Sequence, residues 1–168
     1  HFFGCLIEGG GDMLDLNNVC FRQGSFALTA DFSVSTGARV AVIGPSGGGK
    51  STFLNGIAGF ITTDVGQVLW ADKPMPEHPG QRPLSILFQD HNLFPHLSVM
   101  ENVAIGISPN MRLSHSQRHE VSVALEKVGL ADKLACFPRD LSGGQQGRVG
   151  LARILLRQRP LLLLDEPF

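Results

Sequence analysis

The sequence has little cysteine, no excess of charge of either sign and no apolar run long enough to cross a bilayer. Each shortage excludes a class of protein. The three cysteines, Cys5, Cys20 and Cys136, are odd in number and far apart, with no C-x-x-C pair. Neither a disulfide scaffold nor a zinc or dithiol site is expected, and a reducing compartment fits them. Lys plus Arg (14) nearly balance Asp plus Glu (15), so the basic footprint of a nucleic-acid binder is missing. Apolar runs such as Leu161 to Leu164 fall far short of the roughly 18 residues of a membrane span, and any service to a membrane would pass through partner subunits. What is present is a chain of 168 residues, 43% of them hydrophobic, enough for one globular domain or most of one.

The first dozen residues, HFFGCLIEGGGD, form a short apolar patch followed by glycines, without the basic start of a signal peptide. Residues 1–12 are expected to be a non-native or read-through leader, with the domain proper running from Met13 to Phe168. Leu14 to Val34 reads as short alternating strands forming an antiparallel edge, with Phe26, Leu28, Ala30 and Phe32 on one face and Gly24 and Gly37 as turns. Arg39 to Ile43 (RVAVI) reads as a buried strand that feeds a glycine-rich loop. Gly66 to Trp70 suggests another strand, and Leu84 to Phe88 a further one after the loop made irregular by Pro74, Pro76, Pro79 and Pro83. Beyond Gln89 the character turns helical. Ser114 with Gln117 forms a capping-box pair ahead of Val121, Ala124, Leu125 and Val128, and Gly129 ends that helix. Ser142 with Gln145 repeats the signal ahead of Val149, Ala152 and Leu156, and Leu161 to Leu164 reads as a buried strand running into Asp165 and Glu166.

Gly44 to Ser51, GPSGGGKS, fits the phosphate-loop pattern G-x-x-x-x-G-K-[ST], with a strand expected before it and a helix after it. Gly44, Gly47, Gly48 and Gly49, with Pro45 and Ser46 among them, let backbone N–H groups fold around phosphate oxygens, and the following helix points its positive end at the same charge. Lys50 would bridge the β- and γ-phosphates of ATP and Ser51 would offer a hydroxyl to Mg²⁺, with Thr52 next along the helix. A plain glycine-rich turn would not need the lysine and hydroxyl at this spacing. Asp165 and Glu166 after a hydrophobic strand supply the second half of such a site, Asp165 toward Mg²⁺ and Glu166 toward the attacking water. His115 and His119 stand four apart on one helix face, but no third ligand accompanies them, so both are expected to be solvated, as are His91 and His96.

LSGGQQGR, Leu141 to Arg148, resembles the signature sequence of ABC ATPases and stands shortly before the terminal hydrophobic strand, as in that family. As a capped helix start it is also an anion site. The resemblance covers residues 13–168, and the segments 59–70, 81–114 and 141–168 are similar to the ATP-binding subunits of bacterial thiamine importers. It implies an α/β P-loop NTPase core of the ABC ATPase type with an antiparallel β edge and a helical subdomain over roughly residues 90–140, truncated after the Walker B carboxylates. It implies that Ser142, Gly143, Gly144 and Gln145 contact the γ-phosphate held by a second ATP-binding subunit, in a head-to-tail dimer. Gln89 resembles the Q-loop glutamine that senses Mg²⁺ and the attacking water, and Phe21 resembles the aromatic residue that stacks on adenine, although a strand phenylalanine in the core is equally natural.

ATP and Mg²⁺ are the implied cofactors. The implied partners are transmembrane permease subunits and, indirectly, a periplasmic solute-binding protein, with the chain peripheral on the cytoplasmic face of a bacterial inner membrane and no nucleic acid bound. Importers of iron, sulfate or polyamines share these motifs, and soluble ABC ATPases outside transport use the same cassette. The family continues past the Walker B glutamate with a D-loop and a switch histidine, so the 168 residues alone are expected to be inactive. Gly147 and Gly150 inside the signature helix should weaken it by about 0.5–1 kcal/mol each.

Overall fold

A computed structural model describes residues 12–90 and 92–165. The chain forms two compact units, one up to Arg82 and one from Pro83 onward.

The first unit is built on a four-stranded antiparallel sheet of order β2-β1-β3-β4. Its strands are β1 (Asp12–Gln23), β2 (Phe26–Ser35), β3 (Thr63–Trp70) and the two-residue β4 (Lys73–Pro74), and the helix α1 (Lys50–Ala58) lies between β2 and β3 in sequence. The buried residues of β1 are Leu14 and Leu16, then Val19 and Phe21. Their parity changes from even to odd. Strict alternation would send the second pair to solvent, but the register with β2 shifts between Leu16 and Val19, and Asn18 adopts φ 46. This bulge returns both halves of the strand to one face. In β2, Leu28 and Ala30 are buried as the alternation requires, while Phe26 and Phe32 on either side of them keep more than a third of their surface exposed. Phe32 nevertheless reaches Phe53 of α1, ring centroids 5.9 Å apart.

Arg39 to Ile43 departs from expectation. Residues 38–45 form no strand, and Val40 and Ile43 are 44% and 87% exposed. A β-branched run becomes a strand only where a neighbour completes its hydrogen-bond ladder, and no described strand pairs with this segment.

The second unit joins a two-stranded parallel sheet, β5 (Leu84–Leu87) and β6 (Leu161–Leu164), to three helices, α2 (Val99–Ala104), α3 (His115–Lys127) and α4 (Gly143–Leu156). The helices share one core of Val99, Val103, Val121, Leu125, Leu130 and Val149, each at most 1% exposed. The shared core draws in Val149 and Ala152 of α4, so the helical packing extends past Asp140. The capping boxes expected at Ser114 and Ser142 form, and Gly129, φ +70, follows the end of α3. A third capping box, Ser98 with Glu101, opens α2. The Glu101 carboxylate is held below its ordinary value chiefly by the Ser98 backbone N–H, then by the Ser98 hydroxyl.

β6 is less buried than its all-leucine sequence suggests. Leu163 is 7% exposed, but Leu162 and Leu164 are 39% and 40% exposed, because among the described residues β6 pairs with β5 alone and alternate side chains leave on opposite faces. Cys20 and Cys136 are free, half-buried thiols; Cys5 lies outside the described residues. Among the described residues no helix is long and apolar enough to cross a membrane.

Candidate nucleotide site

In the first unit, residues 44–49 form a largely exposed loop that ends at the N-terminus of α1. Gly48 N–H donates to the Pro45 carbonyl at 3.0 Å, closing a tight turn. Gly47, inside that turn, is exposed at φ 74, and a Cβ built on it would meet no atom within 4 Å. Its glycine answers to the backbone alone, with no neighbour crowding it. Gly49 is the N-cap residue, at φ 88 and with no side-chain cap. Only glycine fits there, for two reasons. The left-handed φ strains any L side chain, and a Cβ would stand 2.5 Å from the Phe26 ring of β2. The edge strand therefore acts as a backstop for the loop. Lys50, the first residue of α1, folds back so that Nζ donates to the carbonyls of Gly44 and Pro45 at 3.1 Å each. Its charge sits inside the loop's own curve. The leading N–H groups of an α-helix lack intrahelical acceptors and carry the positive end of its dipole, so loop, lysine and helix start converge as an anion cradle. Ser51 is exposed beside Lys50, and Thr52 donates its hydroxyl to Gln23 at the end of β1.

Arg82, which sequence reasoning passed over, fixes the other end of α1. Its guanidinium donates to the carbonyls of Gly56 and Ile57, the last turn of the helix, and to Pro76. A cation there complements the negative helix end, and burial lowers its pKa from the ordinary value. Nothing in the proline-rich segment around it announces this long-range contact.

Phe21 does not stand where an adenine could stack on it. It is 0% exposed, its ring lies edge-on to Phe53 at a centroid distance of 6.3 Å, and it packs directly on Gly56 of α1. The bulge in β1 turns it inward, and the expected ligand contact is replaced by a core contact.

In the second unit, β5 and β6 pair in parallel with Leu87 opposite Leu164. Gln89 follows β5 and Asp165 follows β6, so the two expected site residues emerge at the same carboxyl end of the sheet, where ligands gather in α/β folds. Asp165 N–H donates to the Leu87 carbonyl at 2.9 Å, extending the ladder by one residue. Gln89 is exposed and Asp165 half-buried. Glu166 lies outside the described residues.

The LSGGQ segment caps α4. Ser142 Oγ accepts from Gln145 N–H at 3.3 Å, and Gln145 Oε1 accepts from Ser142 N–H at 2.8 Å. Ser142, Gly143 and Gly144 are exposed, and a Cβ on either glycine would meet no atom within 4 Å. This helix start faces open space. Arg148, one turn further on, donates to the Val128 carbonyl at 2.9 Å and so ties α4 to the end of α3.

His115 and His119 are exposed on α3, His96 is exposed with its ring edge-on to Phe94, and among the described residues no group of three or more His, Cys, Asp or Glu could hold a metal. His91 lies outside the described residues.

A G-x-x-x-x-G-K-S loop leading into α1 and a capped LSGGQ helix on one chain are the sequence marks of an ATP-binding cassette. Residues 28–168 match the ABC transporter family, and the chain belongs to it. It is an ATPase subunit of that family and binds nucleotide. Curated relatives include the thiamine import ATP-binding protein ThiQ of Cereibacter sphaeroides, 55% identical over 157 residues, which are 93% of this chain and 68% of the relative. ThiQ of Jannaschia sp. is 52% identical over 93% of this chain and 69% of its own. Among solved structures, the ATP-binding cassette MJ0796, captured as a dimer in a post-hydrolysis state with ADP and Pi, superposes with a TM-score of 0.74 at 30% identity, covering 92% of this chain and 74% of that one.

Proposed function

We propose that this chain is the ATP-hydrolysing subunit of a bacterial thiamine importer. The observation that carries the reading is identity of 52–55% to thiamine import ATP-binding proteins across 93% of the chain, including the cradle and the capped signature helix. In this reading Gly44 to Thr52, Gly47 among them, wrap the phosphates of ATP, and Lys50 leaves the Gly44 and Pro45 carbonyls to bridge the β- and γ-phosphates. Ser142 to Gln145 meet the γ-phosphate held by a second subunit in a head-to-tail dimer, which suits the open approach to the start of α4. Gln89 orients the attacking water, and Glu166 polarises it.

Mg²⁺ would enter with ATP. Ser51 in the first unit offers a hydroxyl oxygen, and in the second unit Gln89 and Asp165, together at the carboxyl end of the β5–β6 sheet, offer amide and carboxylate oxygens; each is the kind of hard donor that this cation prefers. When bound with ATP, it would supply positive charge to the β- and γ-phosphate oxygens. Residues 90–140 form the helical subdomain that faces the permease at the cytoplasmic side of the inner membrane, and a periplasmic binding protein delivers the solute on the other side.

The test is an importer assembled with this subunit, its permease and its binding protein. ATP turnover should rise with thiamine, and Lys50→Ala should remove both tight ATP binding and the turnover. Stimulation by iron, sulfate or polyamine in place of thiamine would reassign the solute while leaving the ATPase intact.

A further inference from the structure

Three segments of the second unit meet at Arg153. It lies on α4, and its Nη1 donates to the Asn92 carbonyl at 2.8 Å. Asn92 adopts φ 46, a left-handed turn three residues beyond Gln89. The Arg153 backbone carries the opposite contact. A Cβ on Gly106, just past the end of α2, would stand 2.6 Å from the Arg153 carbonyl oxygen, so the close approach of that turn to α4 depends on glycine.

Downstream of Asn92 the loop has a second anchor. Asn102 of α2, 0% exposed, accepts from Phe94 N–H at 2.8 Å and donates to the carbonyls of Phe94, Leu97 and Ser98 at 2.9–3.0 Å. The segment after Gln89 is therefore pinned first to α4, at Asn92, and then to α2, from Phe94 to Ser98. Gln89 and Asp90 are exposed between β5 and the first pin. At its other end α4 begins with the Ser142 cap, eleven residues before Arg153, a stiff helical span of about 16 Å.

We propose that Arg153 is a positioning residue that latches the Gln89 loop to the signature helix, so that a displacement of Gln89 and a displacement of Ser142 are one mechanical event. The proposal rests on the ATPase reading, and it adds the side chain through which the glutamine of one motif and the serine of another are linked. The guanidinium is suited to the task. It makes a charge-assisted bond to a backbone carbonyl, which side-chain substitution at Asn92 cannot remove.

The test compares wild type with Arg153→Met, which keeps the apolar stem and removes the donors, and with Arg153→Lys, which keeps a cation. Hydrogen–deuterium exchange on this chain should rise in peptides covering residues 89–94 of Arg153→Met while α2 and α3 stay as in wild type. In the assembled importer, kcat should fall about tenfold with KM for ATP unchanged, and Arg153→Lys should lie between the two. Wild-type exchange in the loop of Arg153→Met would overturn the proposal. So would exchange rising equally across α2, α3 and the loop, which would mean that Arg153 serves only folding. An importer whose ATPase ignores thiamine would remove the solute assignment and leave this test in force, because neither exchange nor basal turnover depends on transport.

Discussion

Gly49 shows how one position can answer to backbone and neighbour together. Its φ of 88 and the Phe26 ring 2.5 Å from any added Cβ mean that Gly49→Ala should destabilise the chain by about 1–3 kcal/mol, seen as a lower denaturant midpoint. Lys50 beside it needs no such packing support, and its substitution should spare stability while removing ATP binding. Phe21 gives the converse lesson. Because its ring is wholly buried against Gly56 and Phe53, Phe21→Leu should lower the melting temperature yet leave ATP affinity as it was. A nucleotide titration on the folded variant checks this, and a large loss of affinity there would restore the adenine contact. The sequence could not separate these roles, since a strand phenylalanine looks the same whether it faces a core or a base.

Among the elements, those written in local chemistry were the legible ones. The capping boxes at Ser114 and Ser142 and the Gly129 stop involve residues a few places apart, and α3 and α4 stand where those signals put them. Ser98 and Glu101 carry the same S-x-x-E spacing, but α2 is only six residues long and too short to show an amphipathic pattern. The glycine loop and the lysine that opens α1 were legible for the same local reason. Elements that depend on distant partners were not: Arg39 to Ile43 needs a neighbouring strand, and Arg82 and Asn102 act on carbonyls elsewhere in the chain. The α2 cap also responds to pH. Glu101 has a folded pKa below its ordinary 4.5, so its contribution is complete above that value and is lost as pH falls through the lowered one. Wild type should therefore melt above Glu101→Gln at neutral pH, with the gap closing as the solution is acidified below the ordinary carboxylate value.

For the whole molecule, the open face of the Ser142 cap carries a stoichiometric consequence. If each site pairs Lys50 of one subunit with Ser142 of the other, subunits carrying Lys50→Ala and subunits carrying Ser142→Arg should each be inactive alone. Mixed in equal amounts they should recover roughly a quarter of wild-type turnover, because half of randomly paired dimers keep one intact composite site. Recovery is measured in the assembled importer, and none would mean that both motifs serve the same chain. The first unit has a reading frame of its own in the fold. β1 is flanked by β2 on one side and β3 on the other, and the extra residue at Asn18 keeps its two halves in phase. Loss of that single codon would preserve the translational frame only if all three bases went. Even then it would exchange inside for outside along half of β1, so a deletion scan should find its sharpest intolerance at a surface asparagine with no catalytic duty.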